Sequence, residues 1–261
     1  MSHVLTCGID IGSRSIECAI FDGTSIIGEG VCETGSSPTQ NAEAIFHQAI
    51  GHAGCSVANI AHTTATGYGR NYYAKADSIS SEIICHAIGV LHNHPEARTV
   101  IDIGGQDSKI MEIDERGKVV NFAMNDRCAA GTGKFIEMVA RTTGIELEAC
   151  GEMGATASSY CEISSMCAVF AESEIIGLLH NGTGIDTILK GVFRSVARRI
   201  TGMAGKVSIR PEIIFTGGVA LNRGIAQALQ DELGHPITIP SQPPFTGAIG
   251  AAITAWEKAT L

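Results

Sequence analysis

The sequence has no run of basic residues and no long apolar stretch. Lysine and arginine together number 18 against 27 aspartates and glutamates, which gives a formal net charge of -9 over 261 residues. Nucleic-acid binding needs a concentrated positive surface, so we expect no nucleic-acid partner. No segment approaches the roughly 18 uninterrupted apolar residues of a membrane helix, and the N-terminus has no signal-peptide layout. We therefore expect a cytoplasmic protein with no membrane partner.

Aromatic residues are also scarce, at 5% of the chain, whereas 31 glycines indicate tight turns and close backbone approaches. Nine cysteines are scattered along the sequence. In a reducing compartment such thiols are packed residues, metal ligands or nucleophiles rather than disulfide partners. We expect most of them, including Cys7, Cys18 and Cys85, to be packed within apolar segments.

The hydrophobic pattern predicts two α/β lobes and a weak internal duplication, because a meander of three strands occurs twice. The predicted strands are 4–11, 15–22, 25–31, 60–66, 99–103, 108–114, 119–124, 212–216 and 236–239. The predicted helices are 41–53, 79–91, 133–142, 170–179, 186–207, 222–233 and 248–256. We expect lobe I to comprise 1–96 plus 241–261, with the returning C-terminal helix, and lobe II to comprise 97–240.

The two halves open with related text, CGIDIGS at Cys7–Ser13 and VIDIGGQDS at Val100–Ser108. Each places an aspartate at the end of an apolar strand and glycines in the following hairpin. Such glycines let backbone N–H groups approach a polyphosphate, and the aspartate can hold hydrated Mg²⁺. We predict that Asp10 and Asp102 organise Mg²⁺ and the attacking water in ATP hydrolysis, with Gln106 as a third catalytic candidate that positions the water.

A third apolar strand ends in FTGGVA, where paired glycines allow an adenosine to lie on the backbone. The three segments resemble, in order and spacing, the phosphate-1, phosphate-2 and adenosine motifs of actin, Hsp70 and sugar kinases. That resemblance implies a two-lobed actin-like ATPase with duplicated ribonuclease H-like domains and a nucleotide cleft between the lobes, binding ATP or ADP. The predicted nucleotide-binding residues are Gly12, Ser13, Arg14, Gly104, Gly105, Gly131, Gly133, Lys134, Gly217, Gly218 and Gln242.

The first hairpin departs from the superfamily pattern. Many relatives carry a threonine after the first Gly-Ser and a lysine three residues beyond it, where this chain has Arg14 and Glu17. Arg14 can supply the missing positive charge. Glu17 would repel a triphosphate unless it faces away.

Two cysteines differ from the rest. Cys128 lies in NDRCAAGTGKF and Cys167 in SSMCAVFAESE, each before a predicted helix. The helix dipole and free N–H groups favour a thiolate there, which suits it to bind metal. Cys161, six residues before Cys167, is expected to be a packed loop residue. Two ligands per chain do not complete a cysteine-only cluster, whereas a symmetric homodimer supplies four.

Nearly the whole chain resembles the activators of 2-hydroxyacyl-CoA dehydratases and the ATPase subunits of benzoyl-CoA reductases, the CoA-substrate-specific activases. The segments that carry this resemblance are GIDIGS, TGYGR, SEIICHA, VIDIGGQDSK, MNDRCAAGTGKF, SSMCAVFAESE, TGGVA and GAIGAA. It implies one oxygen-sensitive 4Fe-4S cluster that bridges a homodimer through Cys128 and Cys167 of each subunit. It also implies that ferredoxin or flavodoxin reduces the cluster, and that ATP hydrolysis drives one electron to a partner dehydratase or related reductase of anaerobic metabolism.

Two other functions remain open. A small-molecule kinase of the same superfamily would need a carboxylate base beside its acceptor, which Asp107 or Asp126 could supply. It leaves Cys128 and Cys167 without a role. A nucleotide-sensing scaffold could instead bridge two chains by zinc through the same cysteines.

Overall fold

The computed structural model describes residues 4–164 and 167–261. The strands are β1 (Leu5–Ile11), β2 (Ser15–Phe21), β3 (Ile26–Glu33), β4 (Ile60–Thr66), β5 (Ser78–Ile79), β6 (Thr99–Ile103), β7 (Ser108–Ile113), β8 (Val119–Asn125), β9 (Ile213–Thr216) and β10 (Ile237–Thr238). The α-helices are α1 (Pro38–His52), α2 (Glu82–Asn93), α3 (Gly133–Thr143), α4 (Leu147–Thr156), α5 (Ala168–His180), α6 (Ile185–Met203), α7 (Arg223–Leu233) and α8 (Thr246–Thr260).

The described chain divides into two compact units. The first runs to Ala97, adds Ile113–Val119 and ends with Ser241–Leu261. The second consists of Arg98–Glu112 and Val120–Pro240. Each unit therefore contains its own five-stranded sheet with helices packed against it.

The first sheet has the strand order β3-β2-β1-β4-β5, with β1 antiparallel to β2 and parallel to β4. Helix α8 packs directly on β1. A Cβ on Gly8 would overlap the backbone of Ala248 and Ala252, so this strand position has room only for glycine. Thr6 donates a hydrogen bond to the Ala252 carbonyl at 2.9 Å, which fixes the helix along the strand.

The second sheet has the order β10-β9-β6-β7-β8, with β6 antiparallel to β7 and parallel to β9. Its core is built around α6, whose predicted apolar stripe is buried from Ile188 to Ile200. Helices α4 and α7 approach α6 closely because Gly154 and Gly224 both lie against the ring of Phe193.

The two sheets share one topology, because replacing β1–β5 by β6–β10 turns the first strand order into the second. The predicted α/β fold with duplicated halves is confirmed. The pattern did not predict α4 or the two-residue strand β5, and it extended the sixth observed helix to 207, whereas α6 ends at Met203. None of the helices in the described ranges combines the length and apolar character needed to cross a bilayer.

Candidate functional site

The first glycine turn joins β1 to β2. Asp10, near the end of β1, is buried with 6% of its surface exposed. The turn is closed by the Gly12 N–H, which donates to the Ser15 carbonyl at 3.0 Å, and a Cβ on Gly12 would lie only 2.7 Å from that oxygen. Ser13 occupies the turn between them. The predicted first hairpin is therefore present, with a glycine where the turn needs one.

The two residues at which this hairpin departs from the superfamily pattern, Arg14 and Glu17, each lie beside a carboxylate-bearing residue. The Arg14 guanidinium lies 3.3 Å from the carboxylate of Glu33 in an exposed ion pair. Glu17 is buried and lies directly opposite Asp10 in the β1–β2 register. Opposite residues of an antiparallel pair lie on the same face of the sheet, so Glu17 shares a face with Asp10.

Asp10 is framed by three segments that are distant in sequence. A Cβ on Gly67 would overlap Oδ1 of Asp10, and a Cβ on Gly247 would overlap Oδ2. From α2, His86 places Nε2 3.8 Å from Oδ2, and its Nδ1 lies 2.9 Å from Oγ1 of Thr246. The motifs TGYGR, SEIICHA and GAIGAA thus all have a residue beside this carboxylate. The sequence pattern alone did not predict that residues of these motifs lie at the site.

The second glycine turn joins β6 to β7 and contains a buried lysine. Asp102 is 2% exposed and lies opposite Lys109, which is 1% exposed. The Lys109 ammonium is 3.1 Å from Oδ2 of Asp102 and 2.8 Å from Oδ2 of Asp107. The Gly104 N–H closes the turn by donating to the Asp107 carbonyl at 3.0 Å, while Gln106 is exposed at its tip. Sequence reasoning missed Lys109, although it stands within VIDIGGQDSK.

The start of α3 is hydrogen-bonded to this second turn. The N–H of Gly133 donates to the Gly104 carbonyl at 2.9 Å, and the N–H of Lys134 donates to the Gly105 carbonyl at 2.8 Å. The Lys134 ammonium is 3.5 Å from the carboxylate of Glu137. These two N–H groups therefore tie the helix to the turn.

The third predicted segment also reaches Asp102. Gly217, directly after β9, has φ +84, and a Cβ there would lie 2.6 Å from Oδ1 of Asp102. A Cβ on Gly218 would meet no atom of the described residues within 4 Å, so the backbone there borders open space. The second unit thus brings together Asp102, the glycine turn, the start of α3 and Gly217.

Gln242, the remaining predicted nucleotide contact, lies in the first unit. Its side-chain amide donates to the carboxylate of Glu29 at 2.8 Å. It precedes a short 3-10 helix that leads into α8. The candidate nucleotide residues are therefore divided between the two units.

Cys128 lies between β8 and a 3-10 turn of three residues, Ala129–Gly131, ahead of α3. Asn125 holds its backbone from both sides: the Asn125 amide donates to the Cys128 carbonyl at 2.8 Å, and the Cys128 N–H donates to Oδ1 of Asn125 at 3.0 Å. A Cβ on Gly131 would lie 3.3 Å from Nδ2 of Asn125. Cys128 lines a cavity of about 1010 Å³ in the second unit.

Cys167 is exposed and caps the N-terminus of α5, where its carbonyl accepts the N–H of Ala171 at 2.9 Å. The neighbouring Val169 and Phe170 are 68% and 69% exposed. Two residues of SSMCAVFAESE, at positions 165 and 166, lie outside the described residues. Cys167 is therefore exposed at a helix N-terminus, close in sequence to two exposed apolar residues.

The other cysteines are packed, as the sequence predicts. Cys161 places Sγ 3.7 Å from the Thr187 carbonyl, and burial raises the pKa of its thiol. Cys7, Cys18 and Cys85 are fully buried, and desolvation raises the pKa of Cys7 well above its ordinary value. Burial also raises the pKa of the Cys85 thiol, and a raised pKa disfavours the thiolate form that binds metal.

A cysteine-only cluster would have to draw ligands from more than one chain. Within residues 4–164 and 167–261, no three His, Cys, Asp or Glu side chains converge as a metal site. Cys167 is exposed and Cys128 is partly buried beside the cavity, and their two thiols are half of a four-thiolate set. Their chemistry suits a cluster or zinc, provided that a second chain supplies the other half.

Comparison with known proteins places these features in a family. Residues 7–255 match the BadF/BadG/BcrA/BcrD ATPase family. The chain is 43% identical over 257 residues to the activator of lactoyl-CoA dehydratase from Anaerotignum propionicum, covering 97% of this chain and 98% of that protein. The crystal structure of component A of Acidaminococcus fermentans (R)-2-hydroxyglutaryl-CoA dehydratase matches with TM-score 0.95 and 40% identity, covering 99% of this chain and 100% of that one.

A second solved structure, the activator of 2-hydroxyisocaproyl-CoA dehydratase from Clostridium difficile with bound ADPNP, matches with TM-score 0.94 and 37% identity. The match covers 98% of this chain and 96% of that one. These likenesses extend over the glycine turns and over both cysteine segments.

Proposed function

Because the chain belongs to the BadF/BadG/BcrA/BcrD ATPase family, we propose that it is an ATP-driven activator that delivers one electron to a partner enzyme acting on CoA esters. ATP hydrolysis is the activity of the family. The relatives named as activators of lactoyl-CoA and 2-hydroxyisocaproyl-CoA dehydratases support a 2-hydroxyacyl-CoA dehydratase, or a related low-potential reductase, as the partner.

The observation that carries this proposal is the bonded path from the second glycine turn to Cys128. The carbonyls of Gly104 and Gly105 accept the first N–H groups of α3, and the chain immediately before α3 is the Cys128 loop. A turn that changes shape with the nucleotide would therefore move the start of α3. This movement would be transmitted through the protein backbone to Cys128, a proposed cluster ligand. Coupling of hydrolysis to electron transfer requires such a link.

We assign the nucleotide chemistry to the strand-end aspartates and the glycine turns. Asp10 and Asp102 would hold Mg²⁺ and orient the attacking water, and the exposed Gln106 would help to position it. Mg²⁺, when bound, supplies positive charge to the phosphates. Gly12, Ser13, Gly104 and Gly105 would contact the phosphates. The open space at Gly218, beside Gly217, supports an adenosine site there. The residues fit the metal because buried carboxylates are the ligands that Mg²⁺ prefers.

We assign the electron carrier to Cys128 and Cys167. Two chains of a homodimer would hold one 4Fe-4S cluster through these four thiolates. The cluster, when bound, supplies a one-electron carrier of low potential. The exposure of Cys167 supports electron entry from a reduced ferredoxin or flavodoxin in an anaerobic cytoplasm, and predicts sensitivity to oxygen.

The experiment compares three cysteine variants purified without oxygen. We expect Cys128→Ala and Cys167→Ala to lose most iron and the EPR signal of the reduced protein, while the matched control Cys161→Ala keeps both. All three should keep ATPase activity, because none of the three residues belongs to the glycine turns.

Retention of full iron in Cys128→Ala and Cys167→Ala would refute the cluster and the electron transfer built on it. Loss of iron from Cys161→Ala with retention in Cys167→Ala would show that the ligand choice is wrong. Zinc without iron in the wild type would establish the bridged scaffold instead. A phosphorylated acceptor formed from ATP would establish the kinase.

A further inference from the structure

The β6–β7 hairpin contains a lysine that the proposed function does not use. Lys109 is 1% exposed, and its ammonium lies within 3.1 Å of Asp102 and 2.8 Å of Asp107. The register places it directly across from Asp102, so its side chain rises on the same face as that carboxylate. One cation thus joins a strand-end aspartate to an aspartate of the turn.

The duplicated hairpin of the first unit carries the opposite charge at this place. There the residue across from Asp10 is Glu17, which is 4% exposed. The residues that face the two strand-end aspartates therefore carry opposite charges. An ammonium opposite the strand-end aspartate is not a requirement of the shared topology.

The energy of folding is a weak reason for such a buried charge. Desolvation of an ammonium and its carboxylate partners offsets much of their attraction, and apolar replacements of buried ion pairs are often neutral. A lysine supplies three donors on a compact head, which suits it to grip two carboxylates at once. Its clearest effect here is on the orientation of Asp102.

The two oxygens of Asp102 have different neighbours. Oδ2 is held by Lys109, and Oδ1 faces Gly217, where a Cβ would lie 2.6 Å away. Rotation of the carboxylate would break the contact with the ammonium. The same ammonium also pairs with Asp107, which belongs to the turn that the Gly104 N–H closes. The orientation of Asp102 is thereby linked to the shape of the turn.

We propose that Lys109 is a positioning residue for ATP hydrolysis, which holds Asp102 through Oδ2 and couples it to the phosphate-contacting turn through Asp107. This inference rests on the proposed role of Asp102 in hydrolysis. Lys109 acts through that carboxylate and does not itself touch the nucleotide.

The test is a double-mutant cycle between Lys109→Met and Asp102→Asn, measured on the full-length protein. We expect Lys109→Met to lower kcat for ATP hydrolysis at least 10-fold, since a misplacement of about 1 Å costs up to about 100-fold. The Kd for ADP should stay within about threefold, because the backbone hydrogen bonds of the turn do not involve the Lys109 side chain. The unfolding midpoint should fall, because Lys109→Met leaves the buried carboxylate of Asp102 and the partly buried one of Asp107 without their ammonium, so kcat is measured well below that midpoint. Lys109→Arg should recover part of kcat.

In the Asp102→Asn background, Lys109→Met should have no further effect on the residual rate, because its partner is already lost. The matched control is Lys258→Met, an exposed lysine on α8 that should leave every quantity unchanged. A purely structural lysine would lower ADP affinity and kcat together, and its effect on kcat would persist in the Asp102→Asn background.

A wild-type kcat in Lys109→Met overturns the inference. So does a fold-loss of kcat from Lys109→Met that is equal in the wild-type and Asp102→Asn backgrounds. If Lys109→Met does not fold, Lys109→Gln takes its place in the cycle, and failure of both to fold shows a structural role and overturns it as well. Wild-type hydrolysis by Asp102→Asn would instead refute the catalytic assignment of the proposed function. The two failures are therefore distinguishable.

Discussion

Gly247 offers a sharp test of the site around Asp10, because two effects of one methyl group oppose each other. The residue is the second of α8, where alanine in place of glycine favours the helix by up to about 1 kcal/mol. A Cβ there would overlap Oδ2 of Asp10, would lie 3.0 Å from its Cγ and would lie 3.2 Å from Nε2 of His86. The helix gains stability only if the carboxylate gives way.

Restoring ordinary contact distances would displace the carboxylate by about 1 Å, which costs catalysis on the order of 100-fold. That factor corresponds to about 2.7 kcal/mol of transition-state stabilisation. We therefore expect Gly247→Ala to lose most ATPase activity in a protein that still folds and retains iron. The measurement is kcat for ATP hydrolysis together with the thermal midpoint.

Gly51→Ala is the matched control for that variant. Gly51 lies in α1, and a Cβ there would meet no described atom within 4 Å. It should gain a little stability and keep full activity. Wild-type kcat in Gly247→Ala would refute the argument that the site depends on the position of Asp10.

Two further variants test packing and the cysteine loop. Gly250→Ala places a Cβ against the Cys85 carbonyl, where α8 crosses α2. It should lower the free energy of unfolding by about 1–3 kcal/mol relative to Gly51→Ala, measured by denaturant titration. An unchanged midpoint would contradict this close crossing. Asn125→Ala removes two hydrogen bonds to the Cys128 backbone, worth about 1 kcal/mol each. It should speed iron loss to a chelator about 5- to 30-fold and keep ATPase activity, whereas the control Asn121→Ala on the same strand should not speed iron loss. Equal rates of iron loss in the two variants would show that Asn125 does not stabilise the Cys128 loop.

The sequence predicted most of the strands because they are short apolar runs followed by glycine or aspartate, as β1, β2, β4, β6, β7, β8 and β9 are. The strand at 60–66 and the strand at 99–103 have the predicted bounds. Helix α4 escaped prediction because Gly151 and Gly154 interrupt its helical pattern. Both glycines are explained by tertiary contact, since they allow close approach to Asn222 and Phe193. A local pattern cannot show contacts of that range.

The candidate site was predictable to the extent that its residues stand in motifs. The hairpin aspartates and the two cysteines that precede helices were visible because each has a distinctive local setting. His86 was not, because its place beside Asp10 depends on how α2 packs against α8. Lys109 required the β6–β7 register, which only the folded hairpin supplies.

The proposed roles can be divided between features that the two repeats have in common and features that only one repeat has. Both sheets carry a glycine turn after their first strand, and both place a buried aspartate there. The connection from β3 to β4 contains α1 as its α-helix, whereas the equivalent connection from β8 to β9 contains α3, α4, α5 and α6. Cys128 and Cys167 both lie in that longer connection. The proposed nucleotide site thus belongs to the repeated hairpins, and the proposed electron carrier to an elaboration of one repeat, joined to its hairpin through the first turn of α3.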